Sequence, residues 1–114
     1  MELTTYQFEA NKTIPSHLNE DGMVDNAVYG IVGEIGEFVD ILKKIKFQGH
    51  PLDEATRNHL KSELGDVLFY IAEMATGLGF PLNQVAEMNI AKIRARYGDH
   101  FDSNKSQNRK EGDI

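Results

Sequence analysis

The sequence predicts an all-α domain, a four-helix, bundle-like arrangement built around two long central helices. Three observations carry this. Alternating strand patterns are nearly absent, two long stretches repeat apolar residues every three or four positions, and Pro and Gly fall between the periodic stretches. A short first helix is expected over about Thr4 to Lys12, ended by Thr13-Ile14-Pro15, where proline disfavours helix continuation. The second helix is expected from about Asp21 to Lys46, with Val28, Ile31, Val32, Ile35, Val39 and Leu42 as one buried stripe. Phe47-Gln48-Gly49-His50-Pro51 reads as a turn. Asp53 is a good N-cap for a third helix, whose inner stripe is Leu60, Leu64, Val67, Leu68, Ile71 and Ala75. Gly77, Gly79 and Pro81 break the chain again. A fourth helix from about Leu82 to Tyr97 is expected to bury Val85, Ile90 and Ile93, with Gly98 as its stop. The domain is expected to cover residues 1–101. After Phe101 the chain is polar and almost free of apolar residues, so 102–114 is expected to be a disordered tail.

The 114 residues amount to one domain with a small core. The absence of cysteine excludes disulfide frameworks, thiolate metal sites and cysteine nucleophiles. A net charge of −6 argues against general affinity for a nucleic-acid backbone. It leaves room for a small polyanion if a divalent cation stands between it and the acidic residues. The first residues show neither a basic nor an apolar signal region, and no apolar run approaches the roughly 18 residues of a membrane span. A soluble cytoplasmic protein is the expectation.

Two short segments echo each other: Glu34-Ile35-Gly36-Glu37 and Glu63-Leu64-Gly65-Asp66. Each places two carboxylates at i and i+3, side by side on one helix face and at the flank of the apolar stripe. Packing the stripes together would bring the pairs towards a shared groove. Four carboxylates gathered there repel one another unless protonated or bridged by a cation. Hard oxygen donors, without cysteine and without histidine at helical spacing, suit Mg²⁺ or Mn²⁺. Acidic pairs at this spacing are also common on solvated faces. What is unusual is a matched pair on each central helix, each with an internal glycine. A glycine inside a helix costs roughly 1 kcal/mol relative to alanine. That cost is tolerable where close backbone approach, or room beside the carboxylates, is gained.

These segments resemble the MazG-like group of all-α nucleoside triphosphate pyrophosphohydrolases, whose signature is E-E-x-x-E, a spacer, then E-x-x-D on two central helices. Here Gly33-Glu34-Ile35-Gly36-Glu37 is followed, twenty-five residues later, by Glu63-Leu64-Gly65-Asp66. Gly33 stands where the family often has Glu, so any role of that carboxylate is missing. Asn89-Ile90-Ala91-Lys92 and Arg94-Ala95-Arg96-Tyr97 are similar to the family's fourth-helix substrate segment. The resemblance covers about Ala27 to Phe101. It implies a Mg²⁺-dependent enzyme that converts an NTP or dNTP to its monophosphate and pyrophosphate, working as a homodimer or homotetramer. Glu34, Glu37, Glu63 and Asp66 would be its metal-binding and catalytic residues.

Asn89, Lys92 and Arg96 fall at i, i+3 and i+7, a single stripe suited to phosphate, because cations neutralise it and Arg binds it in a fork. A solvated basic face has the same pattern. Arg94 points elsewhere. Tyr70 lies one turn after Asp66 and suits a phosphate contact or an ordinary half-buried core position. Lys44, two turns after Glu37, suits a phosphate contact or a solvated lysine. Gln7 and Asn11 on the first helix are weaker candidates for contacting a base. His17, His50, His59 and His100 make no metal-ligand pair on one helix and read as turn or surface residues. No Glu has a His three residues later, which argues against a di-iron carboxylate bundle. A phosphoribosyl-ATP pyrophosphohydrolase and a non-catalytic helical interaction module stand as rival readings.

Overall fold

Two side-chain caps set the start of the long helices. Asn19 accepts a hydrogen bond from the Gly22 N–H at 2.8 Å, and Asp53 one from the Thr56 N–H at 2.9 Å. The second bond holds the Asp53 carboxyl below the usual carboxylate range. From these caps the computed structural model, which describes all 114 residues, builds α2 (Glu20–Phe47) and α3 (Glu54–Gly77). They are preceded by α1 (Leu3–Asn11) and followed by α4 (Leu82–Tyr97) and a short α5 (Ser103–Gln107), with no strand. Gly79 and Gly98, at φ of +81° and +67°, make the left-handed turns that end α3 and α4.

The two long helices form an antiparallel hairpin that is tightly packed at two glycines, Gly30 and Gly77. A Cβ on Gly77 would stand 2.9 Å from the Glu20 carbonyl oxygen, and one on Gly30 would run into the Tyr70 ring. Tyr70 is therefore the residue packed on α2 at Gly30, with an edge-to-face contact to Phe69. Between these points Asn26 donates from Nδ2 to both oxygens of Glu73, at 2.9 and 3.1 Å. Glu73 is almost fully buried, so that amide is what satisfies its carboxylate.

The small core sits where α1 and α4 meet the end of the hairpin: Ala72, Ala75 and Leu82, with Leu3, Tyr6 and Ala10 against them. Gln7 ties this corner together. Its buried amide donates to Thr76 Oγ1 and the Phe80 carbonyl, and accepts from the Leu82 N–H at 2.7 Å. Asn11 also bonds Thr76, at 2.8 Å. Gln7, read from sequence as a possible base contact, has thus spent its hydrogen-bonding groups on joining α1, α3 and α4.

The expected stripes are only half covered. Ile31 and Leu42 are partly buried, but Val28, Val32, Ile35 and Val39 stay 43%, 69%, 45% and 54% exposed. Leu64 on α3 is likewise open. Val85, Ile90 and Ile93, expected inside, are also exposed. The cause is the course of α4, which packs on α1 and α3 at its start and does not pack on α2. The radius of gyration is 17.4 Å, against about 13 Å for a closed monomer of this size. Residues 102–114, expected to lack structure, carry α5, capped by Asp102, and return to α4 through an Arg96–Asp113 ion pair.

Candidate metal centre

Glu34 and Glu37 occupy adjacent turns of α2, and Glu63 faces them from α3. One oxygen from each of the three lies within 4.8 Å of the others. The i, i+3 spacing sets the first pair, and the antiparallel crossing supplies the third. Asp66, the fourth expected member, is exposed and outside this tight group, although its charge reaches Glu34 and Tyr6. Glu63 is buried, and one oxygen of Glu34 and one of Glu63 are buried without a hydrogen-bond partner. Two orphaned carboxylate oxygens beside a third carboxylate suit a hard divalent cation. Desolvation pushes the Glu34 carboxyl up to about 7, with Glu63, Glu37 and Asp66 adding to it.

The sign of that shift gives a measurable expectation for the metal-free protein. A carboxyl raised from 4.5 to about 7 stabilises the fold while protonated. Its contribution is full below the ordinary value and is lost as pH rises towards 7. Glu34→Gln cannot ionise, so its melting temperature relative to the parent should climb across that window when a chelator is present. A constant difference from pH 5 to pH 8 would refute the clustering of charge at this position.

The groove beside the three carboxylates has a volume of about 460 Å³ and is lined by Gly33, Gly36, Asp40, Lys44 and His59 together with Glu37 and Glu63. Nothing lies within 4 Å of where a Cβ would stand on Gly33, Gly36 or Gly65. Of the two uses considered for the motif glycines, the single chain therefore shows room beside the carboxylates, not close backbone approach. Lys44 reaches the groove and pairs with Asp40 at 2.9 Å. His59, read from sequence as a surface residue, stands at the carboxylates, its Nε2 3.1 Å from Glu63 Oε1. The i, i+4 spacing from His59 to Glu63 was the available signal. A search for paired histidines passes over it.

Residues from α4 do not line this groove. Asn89 and Arg94 are exposed, while Lys92 and Arg96 face the C-terminal tail. Tyr70 is engaged with Gly30 instead of lining the groove.

The model of the MazG nucleotide pyrophosphohydrolase domain matches residues 24–101, which span the carboxylate hairpin and α4. The chain is also similar to the "Gene 37 protein" of Mycobacterium phage L5, 32% identical over 101 residues that cover 84% of this chain and 89% of that protein. No solved structure matches it. With two carboxylate motifs in the right order on antiparallel helices, and a match over most of its length, the chain belongs to the MazG nucleotide pyrophosphohydrolase domain family.

Proposed function

We propose that this chain hydrolyses a nucleoside or deoxynucleoside triphosphate to its monophosphate and pyrophosphate, with Mg²⁺ as the cofactor and Mn²⁺ able to replace it. The observation that carries the reading is the Glu34–Glu37–Glu63 cluster with its two orphaned oxygens. These three, with Asp66 beside them, are the residues that would hold the cation. When bound, it supplies Lewis acidity towards the α-phosphoryl group and acidifies the attacking water. Glu34 would have to give up its proton to serve as a ligand. His59 holds one oxygen of Glu63 and so fixes the direction of the other. Lys44, at the far side of the groove, neutralises phosphoryl charge once drawn from Asp40. Asn89, Lys92 and Arg96 serve as phosphate contacts from α4. Because α4 stays away from α2 in its own chain, the groove they serve belongs to another copy.

That arrangement requires a homodimer or homotetramer. The Val28–Val32–Ile35–Val39 stripe, unpaired in one chain, supports it, since single chains rarely leave a continuous apolar face in water. No helix is long and apolar enough to cross a membrane. The deciding assay is a panel of ribo- and deoxyribonucleoside triphosphates, with phosphoribosyl-ATP included, incubated with Mg²⁺ and resolved by product. Monophosphate plus pyrophosphate is expected. Diphosphate plus phosphate would overturn the bond assignment, and no turnover with either metal would leave a helical interaction module.

A further inference from the structure

Charge is unevenly distributed along the chain. Residues 92–114 hold six of the twelve Lys and Arg residues but only four of the eighteen acids. The last fifth is therefore positive in a protein of net charge −6. The fold concentrates this charge further. The end of α4 and the tail enclose a cavity of about 430 Å³, within the size range of small-ligand sites. Five cations line it: Lys92, Arg96, Lys105, Arg109 and Lys110, against Glu111 and Asp113, an excess of three positive charges.

One anion is already present. Asp113 accepts from Arg96 Nε and Nη2, both at 2.8 Å, in the fork geometry with which arginine holds a phosphate. Both side chains are largely shielded from water, at 13% and 15% exposure. The Asp113 carboxyl is held below the usual range by this bond, with the charges of Arg109 and Lys92 also acting on it. One carboxylate thus sits among three cations, with two more along the wall, and leaves most of the positive charge uncompensated. A ligand that matches the cavity carries several negative charges in a row.

We propose that this cavity binds a linear phosphate chain, and that Asp113 is an internal stand-in which the incoming phosphates displace from Arg96. The inference takes the phosphate role of Lys92 and Arg96 from the reading above, adds the chain's own tail around the phosphates that those residues present to the neighbouring copy's groove, and does not depend on the carboxylate chemistry. A stand-in of this kind lowers apparent affinity by the fraction of time that it occupies the site. Removing it must therefore tighten binding.

The test is calorimetry on the full chain with sodium tripolyphosphate and no divalent metal. Asp113→Asn should bind roughly three- to tenfold tighter than the parent. Arg96→Ala and Arg109→Ala should each weaken binding about tenfold. Arg94→Ala, an exposed cation of the same helix outside the cavity, should leave it unchanged. A protein that binds tripolyphosphate without turning over nucleotides would sink the enzymatic reading alone. Tighter binding of a nucleoside triphosphate than of tripolyphosphate would identify the chain as the substrate's own, and equal binding would identify a free polyphosphate. The proposal fails if tripolyphosphate binds neither parent nor Asp113→Asn. It fails too if Asp113→Asn matches the parent, or if Arg94→Ala weakens binding as much as Arg109→Ala.

Discussion

Glu63→Gln should lower nucleotide turnover by on the order of a hundredfold or more while leaving the helical content intact. Glu63 is the carboxylate that α3 contributes to the tight cluster, and it is the most buried of the three. Amide for carboxylate keeps its volume and its bond to His59 but removes the charge that the cation needs. The rise in melting temperature on adding Mg²⁺, expected for the parent because the cation binds the folded state, should vanish with it. Without metal the variant should be at least as stable as the parent, since one of three mutually repelling groups is gone. This combination separates loss of a ligand from loss of fold. Circular dichroism, melts with and without Mg²⁺, and product-resolved turnover read all three. Parental turnover would remove Glu63 from the site.

Val32→Glu is expected to have the largest effect on the fold itself. In one chain Val32 is 69% exposed, and an exposed substitution of this kind changes stability by no more than about 0.5 kcal/mol. If the Val28–Val39 stripe is covered by a second copy, the same change puts an unpaired charge into an apolar interface, at a cost of several kcal/mol per site. The parent should therefore scatter light as a dimer or tetramer, and the variant should shift towards the single-chain mass of 12.8 kDa and melt at lower temperature. A parent mass near 12.8 kDa at micromolar concentration, or a silent variant, would overturn the assembly.

Helix boundaries were legible because local residues set them. Asp53 caps α3, Gly98 stops α4, and the 82–97 span was read without error. The carboxylate pairs were legible because i, i+3 spacing on a helix is a geometric statement. Which of the four converge depends on where two helices cross, and that crossing leaves Asp66 outside the tight group. The covered side of α2 was not legible. Ala27 and Ile31 turn towards α3 while Val28 and Val32 do not, and an apolar face this wide looks alike whether its partner lies in the same chain or another. Arg96 finds its partner seventeen residues downstream in a segment whose one apolar residue is Ile114, so composition alone reads that segment as free chain.

The Gln7 corner also bears on the order in which the structure forms. The α2–α3 hairpin is joined by a six-residue connection and closes locally, whereas the Gln7 bonds link positions 69 to 75 residues apart. Closing so long a loop carries a larger entropic cost and rewards the chain only after α3 and the start of α4 are in place. Docking of α1 is thus the late step in folding and the early step in opening. Because the same glutamine receives the Leu82 N–H, undocking α1 frees the first turn of α4 with it. Amide hydrogens of these two helices should exchange together, as one cooperative unit, and faster than those around Glu63. The carboxylate hairpin can therefore persist while α4 is loose, so the residues proposed for chemistry and those proposed for phosphate contact rest on parts of the chain with different lifetimes.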